Sequence, residues 1–206
     1  LSPKIPPLAS IFNGLVMSIS GQVPHKASWS LSLWNGFLIF SIASWGLYLK
    51  GKRFSLISIF ILAICPFIFH LRTDYVLELP LISTTTFYLF QLCKWSDPVE
   101  GGKWSQVILS TLAGLSSLLI KQSALLVIIP SFLFVVFVSF HRGRRFRLQL
   151  LLGFVFTLIV IFPWFYHNWI MVLSGTYRAV IESASIEGDP SIWNLKSILW
   201  YFNILP

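Results

Sequence analysis

The chain has 206 residues, 56% hydrophobic and 11% charged, with a formal charge of +8 and a mean hydropathy of +0.78. A soluble domain carries about a quarter charged residues, so this deficit excludes one and leaves a membrane protein whose long unbroken apolar runs select helices over a barrel. The basic residues fall between apolar segments rather than along one polar face, which excludes a nucleic-acid-binding surface.

Taken in chain order, residues 1–29 open with Pro3, Pro6 and Pro7. They continue through an apolar stretch from Leu8 to Ser20 that is too short to span and reads as an interfacial helix. Six segments then approach the length needed to cross about 30 Å of hydrocarbon, at roughly 30–49, 54–70, 75–93, 105–120, 124–140 and 148–168. Only Lys121, Gln122 and Ser123 separate the fourth from the fifth. One continuous helix would put Lys121 at mid-length, where a charge is expensive, so a hairpin is expected. Residues 169–206 read as an outer-face segment with a Gly188-Asp189-Pro190 turn. The expected fold class is therefore all-α and polytopic, about six transmembrane helices, with flanking segments 1–29 and 169–206 around a core of 30–168.

Lys50, Lys52 and Arg53 fill one connection, Lys94 and Lys103 another, and Arg142, Arg144, Arg145 and Arg147 a third; together these are nine of the fifteen Lys and Arg. All three connections fall on one side if the six helices alternate, and the positive-inside rule makes that side cytoplasmic. The Arg72–Asp74 turn, the Lys121 turn and both chain ends then face outward.

The candidate chemistry is on that outer face. Asp74 and Glu78 stand four residues apart, a spacing that places both on one helix face. A carboxylate a turn below the surface needs a partner, a proton or a cation. Either Arg72 and the helix dipole satisfy them structurally, or they act in catalysis or hold a divalent cation. Lys4 precedes two prolines that hold the segment extended; it is either an ordinary interfacial lysine or a contact for a lipid phosphate. Lys121 is either a snorkelling lysine or an anion ligand. His25, His70, His141 and His167 lack zinc spacing, Cys65 and Cys93 lack metal-ligand spacing, and no phosphate-cradling Gly-rich loop or nucleophile elbow is present.

Four stretches carry a resemblance. Pro3-Lys4-Ile5-Pro6-Pro7-Leu8 resembles a Lys-Pro-Pro-Leu segment, with Ile5 as an insertion. Arg72-Thr73-Asp74 through Glu78-Leu79-Pro80-Leu81 resembles an Arg-x-Asp-(x)3-Glu/Asp-x-Pro-Leu motif. Gly114-Leu115 through Lys121-Gln122-Ser123-Ala124 is similar to a Gly-Leu-(x)4-Lys-Gln-Thr-Ala turn. Pro163-Trp164-Phe165-Tyr166-His167-Asn168 is similar to a Pro-Trp-Tyr-x-x-Asn segment. In this order they resemble the polytopic glycosyltransferases that use polyprenyl-phosphate sugars, the GT-C family of protein mannosyltransferases and lipid A aminoarabinose transferases.

The resemblance implies transfer of a sugar from a polyprenyl-phosphate carrier to a glycan, lipid or protein acceptor at the outer face of the plasma (inner) membrane. It implies Lys4 on the carrier phosphate, with Arg72 and Lys121 as further cationic contacts, and Asp74 and Glu78 lining the cavity. The family's catalytic base, an Asp soon after its first transmembrane helix, would lie upstream of Leu1, so the chain is expected to be part of a longer protein. The alternatives are a non-catalytic lipid-linked-glycan transporter or flippase, which would carry charges at mid-membrane and paired repeats, or an assembly subunit.

Overall fold

The computed structural model describes residues 6–21, 24–73 and 76–177. Among these it contains eight α-helices and a short 3-10 turn, and no strand. Helix α1 runs Leu8–Ser20, the stretch expected to be helical, and α2 runs Pro24–Lys50. Gly51, at φ 81°, ends α2, and α3 follows over Lys52–Ile64. Pro66 denies the preceding residue a helical conformation. Cys65 is accordingly extended, and the chain restarts as α4, Pro66–Thr73.

Helix α5 covers Glu78–Ser96 and carries Pro80 in its first turn, where the missing N–H has no intrahelical role. Asp97, followed by Pro98, stops it. Helix α6, Trp104–Ile120, is capped by Gln106, whose Oε1 accepts the Lys103 N–H at 3.0 Å. The chain is extended at Lys121, turns through Gln122–Ala124, and continues as α7, Leu125–Arg142. Gly143, at φ 91°, separates α7 from α8, Arg144–Tyr177.

The hairpin at Lys121 is as expected. Arg142, at the end of α7, reaches back to the carbonyls at the end of α5, and Tyr88 of α5 meets Ser131 of α7 at 2.9 Å midway. Thus α7 runs parallel to α5 and antiparallel to α6.

Two expected boundaries change. The 54–70 span is two helices broken at Cys65, and the last helix continues without interruption past Asn168 to Tyr177, into the stretch read as an outer-face segment.

Length and composition alone qualify three stretches to cross a membrane: Trp29–Lys50, Gln122–Arg142 and Arg144–Ser174. The others fall short for different reasons. Helix α6 has 17 residues, about 26 Å at 1.5 Å per residue, and the α3–α4 pair is interrupted. Helix α5 is deeply packed, with Ser83, Thr84, Thr85 and Gln91 buried alongside Leu79, Tyr88, Phe90 and Trp95.

A helix at the centre of a bundle meets other helices rather than lipid, so it tolerates hydroxyls that find partners. Ser83 Oγ donates to the Trp34 carbonyl of α2 at 2.9 Å, and Ser117 Oγ of α6 donates to Thr84 Oγ1 at 3.0 Å. Helices α3, α7 and α8 instead turn Leu56, Phe60, Leu126, Phe137 and Ile159 outward. Such continuous exposed apolar surface is stable only against lipid, and the chain is an all-α polytopic membrane protein.

The described chain divides within α8 into two compact units, one ending at Phe162 and the other beginning at Pro163. The first holds α1 to α7 and most of α8. In it α6 and α7 stand apart around an apolar cavity of about 250 Å³ lined by Tyr88, Gly114, Leu118, Phe132 and Phe154 among others. In the second, the Trp164 and Phe165 rings meet edge-on, and Asn168 Nδ2 donates to the Trp164 carbonyl at 2.8 Å.

Candidate functional site

The first turn of α5 and the extended residue that ends α6 meet at one end of the bundle. Leu79 and Ile120 are fully buried in one apolar cluster with Ala9, Leu31, Trp34, Leu38, Ile68 and Leu71. Their chain neighbours, Glu78 and Lys121, are therefore fixed side by side at the rim of that cluster. The Lys121 ammonium donates to Glu78 Oε1 and forms with it the one ion pair among the described residues. An acid in the first turn of α5 and a cation just past the last turn of α6 both agree with the helix dipoles. The two side chains remain 36% and 37% exposed, so a ligand can reach the ammonium without unpacking the helices beneath.

The other expected site residues are placed less fully. Arg72 is in the last turn of α4, and nothing of its side chain is described; Lys4 and Asp74 lie outside the described residues. The helical register expected to put Asp74 one turn from Glu78 does not exist. Helix α5 begins at Glu78, and Val76 and Leu77 before it are not helical, because the chain must turn there from α4 into α5. Among the described residues no three of His, Cys, Asp and Glu come together as a metal site.

The opposite end of the bundle holds a polar network that the sequence pattern had hidden. Asp97 Oδ2 accepts the Tyr48 hydroxyl at 2.5 Å, and Oδ1 accepts the backbone N–H groups of Val99 and Glu100 at 2.7 and 2.9 Å. These donors, the hydroxyl foremost and then the two N–H groups, with Arg142 nearby, hold the Asp97 carboxyl down at about 2. The Arg142 guanidinium donates to the Ser96 and Asp97 carbonyls, both at 2.5 Å.

The buried amide of Gln149 joins α8 to the same loop. Its Oε1 accepts the Trp95 indole N–H at 2.9 Å, and its Nε2 donates to the Gly102 carbonyl at 3.0 Å. Lys94, expected in the loop, is instead within α5, its ammonium 5.6 Å from the Tyr48 ring centre and 5.4 Å from that of Phe90. Two signals for this network were present in the chain: a lone Gln149 amid leucines, and the Asp97-Pro98 start of a turn that ends in Gly101-Gly102.

Tyr48, Asp97 and Gly102, Arg142 and Gln149 come from α2, the α5–α6 loop, α7 and α8. Their contacts gather the connections around Gly51, Asp97–Lys103 and Gly143 at one end, as alternation of the helices requires. The Glu78–Lys121 pair is at the other end of α5 and α6.

The profile of the dolichyl-phosphate-mannose-protein mannosyltransferase family matches residues 4–167, whereas no curated protein and no solved structure matches the chain. Since that match takes in α1 to α7, the greater part of α8 and the Glu78–Lys121 pair, the chain belongs to the dolichyl-phosphate-mannose-protein mannosyltransferase family, membrane glycosyltransferases of the GT-C type that draw on a lipid-linked sugar.

Proposed function

We propose that the end of the bundle bearing Glu78 and Lys121 takes part in transferring a sugar from a polyprenyl-phosphate carrier to a glycan, lipid or protein acceptor at the outer face of the plasma membrane. The observation that carries this reading is the half-open ion pair at the end of the bundle remote from the basic connections. The positive-inside rule would make the basic end cytoplasmic, which turns the Glu78–Lys121 end outward. There the carrier's sugar phosphate would emerge while its isoprenoid tail stays in lipid.

The reaction on this reading is displacement at the sugar C1. An acceptor hydroxyl oxygen forms the new bond and releases its proton to solvent at the membrane face, the C1–O bond to phosphate breaks, and polyprenyl phosphate leaves with the electron pair. Negative charge grows on the phosphate oxygens as that bond breaks, so a neighbouring ammonium stabilises the transition state more than the bound donor. Lys121 supplies that cation, and Glu78 positions it. Lys4 and Arg72 are proposed as further phosphate contacts. Asp74 is proposed with Glu78 as a cavity-lining carboxylate, and a divalent cation between these two would serve the same charge.

The test is sugar release from radiolabelled polyprenyl-phosphate sugar in membranes bearing the protein. Lys121→Ala is expected to lower transfer by about 10²–10³-fold, with Lys121→Arg recovering part of it. Glu78→Gln is expected to weaken the Lys121 effect without matching its loss, and Lys4→Ala and Asp74→Ala to abolish transfer. Unchanged transfer in Lys121→Ala, with the protein inserted and helical, would falsify the assignment. Tolerance of alanine at all these positions would favour an assembly subunit, and two-sided access of the glycan lipid a transporter.

A further inference from the structure

The Glu78–Lys121 end leaves unexplained the concentration of cations at the other. Lys50, Lys52, Arg53, Lys103, Arg144, Arg145 and Arg147 are all exposed there, and none has an ion-pair partner among the described residues. The acids in these connections are Asp97 and Glu100, and Asp97 is already committed to Tyr48 and to backbone N–H groups. Arg142 is likewise spent on two carbonyls and stacks 5.5 Å from the Phe146 ring centre.

The geometry packs part of this charge together. Phe146 lies against Gly102, where even a Cβ would come within 2.7 Å of its ring, and Gln149 bonds the same glycine. Lys103 follows Gly102, and Arg145 and Arg147 flank Phe146, so cations from the α5–α6 connection and α8 belong to one patch.

The placement also opposes the helices' own electrostatics. Helices α3 and α8 begin with Lys52-Arg53 and Arg144-Arg145, with no acid in either first turn, although the dipole there favours acids. A charge held against that preference gains from an anion outside the helix. It lies where strongly apolar helices end, among exposed Phe54, Trp104 and Phe140, at the depth of lipid headgroups.

We infer that this end of the bundle is a binding surface for anionic phospholipid headgroups of the bilayer in which it sits. Phosphate oxygens meet the cations of α3, the α5–α6 connection and α8, while the Tyr48–Asp97–Arg142 network keeps the connections in register. This does not depend on the sugar-transfer reading, because no residue at the Glu78–Lys121 end contributes.

The experiment is electron spin resonance of the chain in vesicles of phosphatidylcholine, doped with spin-labelled phosphatidylglycerol or phosphatidylcholine. The expected result is a preference for motionally restricted phosphatidylglycerol that weakens in high salt. It should fall about fivefold for each cation lost from direct headgroup contact, in Arg144→Gln/Arg145→Gln/Arg147→Gln and, independently, in Lys52→Gln/Arg53→Gln. These side chains are exposed, so both variants should retain wild-type helicity by circular dichroism. No preference in the wild type, or an undiminished one in both variants, overturns the inference. Displacement of the restricted lipid by poly-glutamate at equal charge overturns it in favour of an acidic protein partner.

Discussion

Asp97 shows how much one side chain at the end of a membrane bundle can organise. It stops α5, builds the following turn by accepting from Val99 and Glu100, and ties that turn to α2 through Tyr48. All of these contacts favour the ionised carboxylate, which is why its pKa falls from the ordinary 3.8 to about 2. Because the folded value lies below the unfolded one, the stabilisation is fully present above about pH 4. It is lost as pH falls through about 2.

The chain carries other carboxylates, so the measurement is a difference. Melting of the wild type and of Asp97→Asn in detergent should be compared at steps from pH 6 to pH 2. The gap between them is expected to be largest at pH 6 and to close between about pH 4 and 2. A gap independent of pH would mean that the Tyr48 contact is indifferent to the charge on Asp97.

At the scale of elements, contact between helices is made by small residues and hydroxyls as well as by the apolar cluster around Leu38 and Leu79, as expected where lipid weakens the hydrophobic drive for association. Helices α2 and α3 cross at Gly46 and Ser55. A Cβ on Gly46 would lie 2.9 Å from Ser55 Cα, and Ser55 Oγ donates to the Ala43 carbonyl at 2.8 Å. The obstacle is backbone, which cannot swing aside, so Gly46→Val should cost about 1–3 kcal/mol in detergent unfolding. Gly36→Val on the same helix has open space for its Cβ and should lose nothing, since valine has the slightly better helix propensity. Equal losses in the two variants would show that the crossing does not set the cost.

These crossings explain which elements were legible in the sequence. The helices that face lipid, α2, α7 and α8, announce themselves by hydropathy, and the glycines at 51 and 143 punctuate them. The central α5 was found as a span only roughly, because its buried Ser83, Thr84, Thr85 and Gln91 lower the very signal that marks a span. The Glu78–Lys121 proximity was within reach only as two turns assigned to one face. The Asp97 network was not, since Tyr48, Arg142 and Gln149 are separated from it by whole helices and nothing in local spacing pairs them.

For the whole molecule, the decisive property is that its two ends are chemically opposite. The connections around Gly51, Asp97–Lys103 and Gly143 are held together by Tyr48, Arg142 and Gln149 and carry the excess of cations, whereas the connection at Lys121 lies at the far end of α6 and α7. The bilayer must lie between them, because the exposed residues over 54–64 of α3, 125–140 of α7 and 148–162 of α8 are all apolar. With Cys65 and Cys93 replaced by serine, single cysteines at positions 52, 143 and 122 report this directly. A membrane-impermeant maleimide added to intact cells is expected to label Gln122→Cys. Lys52→Cys and Gly143→Cys should react only after the membrane is opened. The reverse pattern would keep the fold but put the Glu78–Lys121 pair on the cytoplasmic side, which would overturn outer-face transfer. Labelling of positions 122 and 143 from the same side would go further, since α7 could not then cross, and the opposed directions of α6 and α7 would themselves be wrong.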